Sequence, residues 1–439
     1  MITFAHLADT HIGSWRDEKM RQLSVSAFTK AVDICIEENV DFVLISGDFF
    51  DTSIPPIDKI KSAVTQFKRL KEKNISVYMI SGSHDHSPSG KTMLDVLEEA
   101  GLFVNVVEGS VVENKLRLMF TTDKKTGTRI TGMLGKRGTL EKSFYEQLDR
   151  EYLEQEIKKT THDTPHTTHD TRHTACHTPN AVYHIFMFHS ALNEFKPENA
   201  QAQESMPVSL LPRGFNYYAG GHVHMVFHRD ETANGYGIIT YPGPTFPCDF
   251  KEIEELKRGG IYIVRFDDVK TTALWKPIEI VPVESVFLSC HHLTAEETEH
   301  ELRKKISAAK IQNHIVTIRM VGTIRAGKVS DIHFNDIIEG LYHAGAYFVM
   351  KNTAAVTTPE FEEIQKKPEQ TIEQIQESII NEHLGQIPIG GMNKEQECAL
   401  TKKLLLMFAT EKNEGETTGD FEQRVQKEAG MIFKEFFDV

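Results

Sequence analysis

The stretch "VDFVLISGDFFDTSIPPIDKIKSAVTQFKRLKEKNISVYMISGSHDH", residues 40–86, decides the fold of this chain. "DFVLISGD" and "ISVYMISG" are nearly continuous apolar runs, the composition of strands covered on both faces. Between them, "PIDKIKSAVTQFKRLKEKN" reads as a helix, with Pro56 near its first turn. Strand, helix, strand in this order predicts two parallel neighbours in one sheet. Both strands run into polar clusters. The first ends in Gly47-Asp48-Phe49-Phe50-Asp51, the second in Gly82-Ser83-His84-Asp85-His86.

The pattern extends in both directions. Upstream, "ITFAHLAD" is a third strand, and "MRQLSVSAFTKAVDICIEEN" carries Leu23, Phe28, Ala31, Val32, Cys35 and Ile36 at helical spacing. Downstream, "GKTMLDVLEEAG" is a short helix, residues 103–134 hold short strands and turns, and a polar helix covers roughly 139–159. Residues 161–180, "THDTPHTTHDTRHTACHTPN", cannot build a core and are expected to be a disordered insertion. His162, His166, His169, His173 and His177 recur there at near-helical intervals, but Pro165 and the threonines oppose a helix. Strands resume in "AVYHIFMFHS", "FNYYAGGHVH", "GYGIITYPGP" and "GGIYIVRF", which places the insertion inside one domain. From about residue 281 a small strand-helix-strand-helix-strand unit follows. The tail from about 356 is charged and helical, interrupted by Pro368 and "GQIPIGG".

Composition limits the function classes. At 439 residues and 40% apolar content, two or three folded domains are expected. No run of about 18 apolar residues exists, which argues against a membrane span. "MITFAHLADTHIG" reads as a strand from its start, with no basic leader or apolar core of a secretory signal. The five cysteines are scattered and form no C-x-x-C pair, so neither a disulfide framework nor a thiolate zinc site is expected. A reducing, cytoplasmic setting follows as the expectation. The net charge of −14 argues against indiscriminate nucleic-acid binding, but not against a local basic face.

The chemistry lies at strand ends. Asp9-Thr10-His11, Gly47-Asp48, Ser83-His84-Asp85, His189 and His222-Val223-His224 each follow an apolar strand. In largely parallel sheets, ligands gather outside the carboxyl ends of strands. Carboxylate oxygens mixed with imidazole nitrogens suit Mn²⁺, Fe²⁺ or Zn²⁺, whereas Mg²⁺ and Ca²⁺ sites are mostly oxygen. One carboxylate can bridge two ions, and a pair of ions can clamp a phosphate for in-line displacement.

These five elements, in this order, resemble the motifs of the calcineurin-like metallophosphoesterases over roughly residues 1–250. The resemblance implies an α/β fold: a four-layer α/β/β/α sandwich, with a small α/β capping domain and a helical C-terminal tail. It also implies two divalent metal ions. Asp9, His11, Asp48 and His224 would hold one; Asp48, Ser83, His189 and His222 would hold the other. His84 would be the catalytic histidine that meets the scissile phosphate or leaving group. The family usually has Asn where Ser83 stands, and a neutral hydroxyl is a shorter and weaker ligand. The second ion is therefore expected to bind weakly or through water, unless a small backbone adjustment lets serine serve. Asp51 stands where other relatives have His, so a histidine-assisted step is not carried over to it.

A closer resemblance is to the nuclease subunit of the double-strand-break repair complex, the meiotic-recombination-eleven or SbcD type. "HLADTHIG", "GDFFDTSIPP" and "YPGPTFPCDFKEIEE" carry it. It implies Mn²⁺-dependent 3′→5′ exonuclease and endonuclease action on DNA ends, a homodimer, and a coiled-coil ABC-type ATPase as partner. The domains would be a nuclease domain at 1–280, a cap at 281–355 and a partner-binding tail at 356–439. Phe421, Val425, Ile432 and Phe436 form one apolar stripe in that tail, and Leu400, Leu404 and Met407 another. Lys115, Arg117, Lys124, Lys125, Arg129, Lys136, Arg137 and Lys142 are expected to line a DNA path. Two other readings stay open. One is a small-molecule phosphodiesterase; the other is a DNA-end tethering scaffold with weak nuclease activity.

Overall fold

A computed structural model describes residues 1–86, 92–136, 140–162, 182–196, 205–267, 270–358, 377, 379–381, 383–384, 392–410 and 418–437. Apart from its first two positions, the Thr/His-rich tract at 161–180 lies outside the described residues, as does Arg137. The chain divides into two units, Met1–Val283 and Glu284–Val439.

The first unit is built on two six-stranded sheets. In the first sheet, β1 (Ile2–Leu7), β2 (Phe42–Ser46), β3 (Ser76–Ile80) and β4 (Val104–Asn105) run parallel, linked by α1 (Glu18–Glu37), α2 (Ile57–Glu72) and α3 (Met93–Glu99). After a small ribbon of β5 (Gly109–Val112) and β6 (Lys115–Leu118), the chain enters the second sheet. There β7 (Thr121–Thr122) lies on the edge of β8 (Arg129–Gly132). Then come α4 (Leu140–Gln147), α5 (Arg150–His162), β9 (His184–His189), β10 (Tyr217–Gly221), β11 (Phe227–Asp230) and β12 (Ile238–Tyr241). β8, β9, β10 and β12 are parallel, and β11 is an antiparallel edge. After α6 (Phe250–Leu256) the chain returns to the first sheet. β13 (Gly259–Phe266) pairs antiparallel with β1, and β14 (Thr271–Ile278) with β13.

Alternation along the strands makes the layers. On β9, Ile185 and Met187 face Phe4, Leu44, Ile80 and Tyr217 in the core between the sheets. Phe186 and Phe188 point the other way, into a core with Tyr145, Leu153 and Ile157 of α4 and α5. On the outer face of the first sheet, Phe28 of α1 and Phe67 of α2 pack around Phe49. The result is the four-layer α/β/β/α sandwich that the motifs imply.

The polar helix expected over 139–159 is two helices. Asp149 interrupts it: its amide donates to Leu116 O at 2.8 Å, and its side chain accepts from Tyr152 N at 3.2 Å, starting α5 afresh. β11 was not anticipated either.

In the second unit, β15 (Val283–Ser289), α7 (Ala295–Ser307), β16 (Ile315–Thr323), α8 (Phe334–His343) and β17 (Phe348–Thr357) form a three-stranded α/β module. Two further helices, α9 (Lys394–Phe408) and α10 (Thr418–Phe436), pack on one another, with Lys403 paired to Glu435 and lying over Phe436. Leu400 and Met407 are buried. Phe421, Val425, Ile432 and Phe436 are half-buried, and Leu406, Phe408 and Met431 are exposed. Among the described residues, no helix is long and apolar enough to cross a membrane.

Candidate metal centre

The parallel strands of both sheets deliver their carboxyl ends to one place. β1 leads to Asp9 and His11, β2 to Asp48, β3 to Ser83 and His84, β9 ends in His189, and β10 leads to His222 and His224. The structure brings all eight side chains together. Asp48 Oδ2 is central: His189 Nε2 lies at 3.1 Å, Ser83 Oγ at 3.3 Å and His11 Nε2 at 3.7 Å. Asp9 Oδ1 lies 3.7 Å from His224 Nε2, whose counterpart on His11 is 3.2 Å away. Ligand atoms of Asp48, His189 and His222 fall within 4.8 Å of each other, as do those of His11, Asp48 and His84.

The backbone is bent to achieve this. Asp9, His11, Asp48 and His222 have φ of 50°, 39°, 49° and 86°, the left-handed region that costs a non-glycine residue on the order of 1–3 kcal/mol. Surrounding hydrogen bonds hold the bends. Asp85 accepts from Phe49 N, Phe50 N and Gly82 N at 3.0–3.1 Å, tying the loops after β2 and β3 together. Asp9 accepts from His222 N at 2.9 Å, and Asp48 from His84 N at 2.7 Å. Gly47 has φ +85°, and a Cβ there would stand 2.3 Å from His189 Nδ1.

Several imidazoles are oriented from behind. His189 Nδ1 donates to Ser46 O at 2.8 Å, and His84 Nδ1 to Asp51 O at 2.8 Å. His224 Nδ1 is 2.6 Å from Glu252 Oε1. A ring nitrogen engaged in this way leaves Nε2 for a ligand or a proton. Nε2 of the fully buried His189 meets Asp48 Oδ2 at 3.1 Å and has no other partner among the described residues. That contact takes a proton or a cation.

Electrostatics agree. Burial opposes ionisation of Asp48, yet His189, His11 and the His84 amide hold its carboxyl far below the usual carboxylate range. Burial pushes Asp9 up, against the pull of His224 and His189. Burial would lower His189, but Asp48 and Asp9 raise it to about 10; burial would lower His224, but Glu252 and Asp9 raise it to about 9. Burial, with His189 nearby, lowers His222 to about 3. Two buried carboxylates thus demand positive charge in the middle of the cluster. The donor set, oxygen mixed with imidazole nitrogen, fits intermediate divalent ions.

The sequence profile of the family described as calcineurin-like phosphoesterase matches residues 2–226. The chain belongs to the calcineurin-like phosphoesterase family. As a member it is a metal-dependent hydrolase of phosphate esters. It is 26% identical over 350 residues to the DNA double-strand break repair protein Mre11 of Methanococcus maripaludis, covering 78% of this chain and 80% of that protein. The protein of the same name from Archaeoglobus fulgidus is 25% identical over 371 residues, 77% of this chain and 75% of that one. The uncharacterized metallophosphoesterase YhaO of Bacillus subtilis is 24% identical over 322 residues, 69% of each chain.

Two groups at this phosphoesterase centre escaped sequence reasoning: Glu252 behind His224, and Cys248, whose sulfur shares a 4.8 Å cluster with His11 and His224. Both lie in "YPGPTFPCDFKEIEE", a stretch already singled out, but an acidic residue on a short helix looks solvent-facing in sequence. The basic segment is partly paired within the fold. Arg129 is not a free cation on a DNA path: it lies 4.2 Å over the Phe120 ring and donates to Glu156 O. Arg117 pairs with Asp149 at 2.8 Å, Lys125 with Asp41 at 2.9 Å, and Lys142 with Glu146 at 3.8 Å.

Proposed function

We propose that this chain is a Mn²⁺-dependent DNA nuclease, with 3′→5′ exonuclease and endonuclease activity on double-strand-break ends. The observation that carries the metal chemistry is the shared, buried Asp48 oxygen, set between the His11 and His189 nitrogens at 3.7 and 3.1 Å. The names of the archaeal relatives carry the choice of DNA as substrate. Asp9, His11, Asp48 and His224 would hold one ion, and Asp48, Ser83, His189 and His222 the other. Bound there, the ions would supply Lewis acidity toward the phosphodiester and neutralise the charge that develops on it.

The remaining chemistry belongs to the chain. His84 sits at the rim, its ring 4.7 Å from that of His11, with Nδ1 committed to Asp51 O. Its Nε2 is left to touch the scissile phosphate and give a proton to the departing oxygen. The buried Asp9 and His189 exclude water from the inner side of the cluster.

The domain roles follow the same reading: 1–280 as nuclease, 281–355 as cap and 356–439 as the tail that docks a coiled-coil ABC-type ATPase. Exposed Leu406, Phe408 and Met431 support docking, because they remain bare after α9 and α10 pair. The active species would be a homodimer in the cytoplasm.

The test is an assay of the purified chain with Mn²⁺ on linear duplex DNA and on bis-p-nitrophenyl phosphate. Cleavage of both is expected, with both lost in Asp48→Ala. Cleavage of the small ester alone would replace this reading with a small-molecule phosphodiesterase, the second choice, since the family description names phosphoesterases without a substrate. DNA binding without cleavage would make it a tethering scaffold.

A further inference from the structure

We infer that Cys248 is a metal ligand, giving the first cation position a sulfur donor that the second lacks. This rests on the two-ion reading above. The Cys248 sulfur and one ring nitrogen from each of His11 and His224 lie within 4.8 Å of one another. Together with Asp9 and Asp48 these donors would make the position five-coordinate, where neighbouring donors on Zn²⁺ stand roughly 3.0–3.7 Å apart, given Zn–S near 2.3 Å and Zn–N near 2.0 Å. Small side-chain adjustments close that difference.

The local sequence pins the thiol there. Asp249 caps α6 by accepting from Glu252 N at 2.8 Å, which turns Glu252 back over the start of its own helix. One oxygen of Glu252 accepts from Cys248 N at 2.7 Å, and the other meets His224 Nδ1 at 2.6 Å. A single carboxylate therefore sets both the cysteine backbone and the imidazole. On the other side, Trp15 Nε1 donates to Pro247 O at 2.9 Å and holds the loop against the segment that follows β1. The thiol itself has only a weak contact, 3.4 Å to Phe246 O.

His11 provides the independent sign of a ligand. The residue is 3% exposed, its Nδ1 lies 3.3 Å from Asp51 Oδ1, and its Nε2 faces His224 Nε2 at 3.2 Å. Two imidazole nitrogens turned toward each other beside a sulfur form a donor set that a cation completes. The thiol gives its proton to solvent as the ion binds. Sulfur with two imidazoles favours Zn²⁺, Co²⁺ or Fe²⁺ over Mn²⁺ at this position, while Ser83 leaves the other position hard and weak. The two sites would then differ in preferred ion and fill in sequence.

The experiment uses the full chain, stripped of metal and titrated with Co²⁺. Wild type should develop both the visible ligand-field bands of bound cobalt and a near-ultraviolet thiolate-to-cobalt charge-transfer band, complete at one equivalent. Cys248→Ser and Cys248→Ala should keep the visible bands and lose the charge-transfer band. Their Zn²⁺ affinity, measured by competition with a chromophoric chelator, should fall at least about ten-fold, with Mn²⁺ affinity changed less. Ligand-field bands in wild type without the charge-transfer band would overturn the sulfur ligand alone, and so would a charge-transfer band that survives in both variants. Failure of wild type to bind cobalt at all would overturn the two-ion reading with it. The wild-type spectrum decides the matter even if a variant does not fold.

Discussion

Ser83 Oγ lies 3.3 Å from Asp48 Oδ2, so a hydroxyl stands where an amide oxygen would reach further into the second cation position. The side chain is buried and cannot swing to a different partner without moving the loop that Asp85 ties down. Ser83→Asn should therefore tighten the second Mn²⁺ equivalent by about ten-fold and leave the first unchanged. Calorimetric titration of both proteins checks this. Identical isotherms would mean that serine serves as well as asparagine.

Glu252 orients His224 through a 2.6 Å contact while holding the Cys248 amide. Glu252→Gln removes the charge and keeps the shape. Partners behind a metal-binding histidine typically account for about 10–100-fold in metal affinity or activity, and a loss in that range is expected here. The measurement is activity against free Mn²⁺, where the variant's curve should shift right and its plateau stay within a few fold of wild type.

Gly47, like Gly82 and Gly221 beside it, leaves no room for a side chain. It has φ +85°, and its Cβ would sit 2.3 Å from His189 Nδ1 and 2.9 Å from the Gly82 backbone. Gly47→Ala combines backbone strain with a clash that neither sheet can relax. A loss on the order of 3 kcal/mol is expected, read as a lower urea midpoint with an unchanged slope.

Two histidines buried away from the metal cluster set an acid limit. Burial lowers His6 to about 3, where its ring meets Tyr217, Thr240 and Ser46. Burial and the charge of Arg129 lower His184 to about 4. The unfolded chain takes protons at these histidines near pH 6.5 and the folded one refuses them. Their contribution is therefore fully present above about pH 6.5 and is lost as pH falls toward 4 and then 3, by roughly 1.4 kcal/mol per pH unit for each group. Urea midpoints between pH 7.5 and 4.5 should show this slope, and His184→Gln should flatten it by one proton.

The site was legible because its chemistry restricts residue type. Only Asp, His and a few others ligate divalent ions, so Asp9, Asp48, His189 and His222 stood out at the ends of apolar runs. Glu252 did not, because a glutamate that turns back over its own helix has the same letter as one that faces water. Arg129 misled for a related reason: its charge is visible in sequence, but the Phe120 ring and the Glu156 carbonyl that hold it come from elsewhere in the chain. The break between α4 and α5 depends on a backbone bond from Asp149 to Leu116, which helical periodicity cannot reveal. In the tail, periodicity located the helices but not their bare faces. The stripe of Phe421, Val425, Ile432 and Phe436 is half-buried, and the adjacent Leu406, Phe408 and Met431 are uncovered.

The return of β13 to the side of β1 carries a consequence for biogenesis. Ile2 pairs with Phe266, so β1 must wait for nearly the whole first unit to be translated before its outer edge is covered. His222 and His224 also arrive late, long after Asp9 and Asp48. A nascent chain paused before residue 259 would present an open β edge and a half-assembled set of metal donors, the form most exposed to aggregation and to capture of the wrong ion.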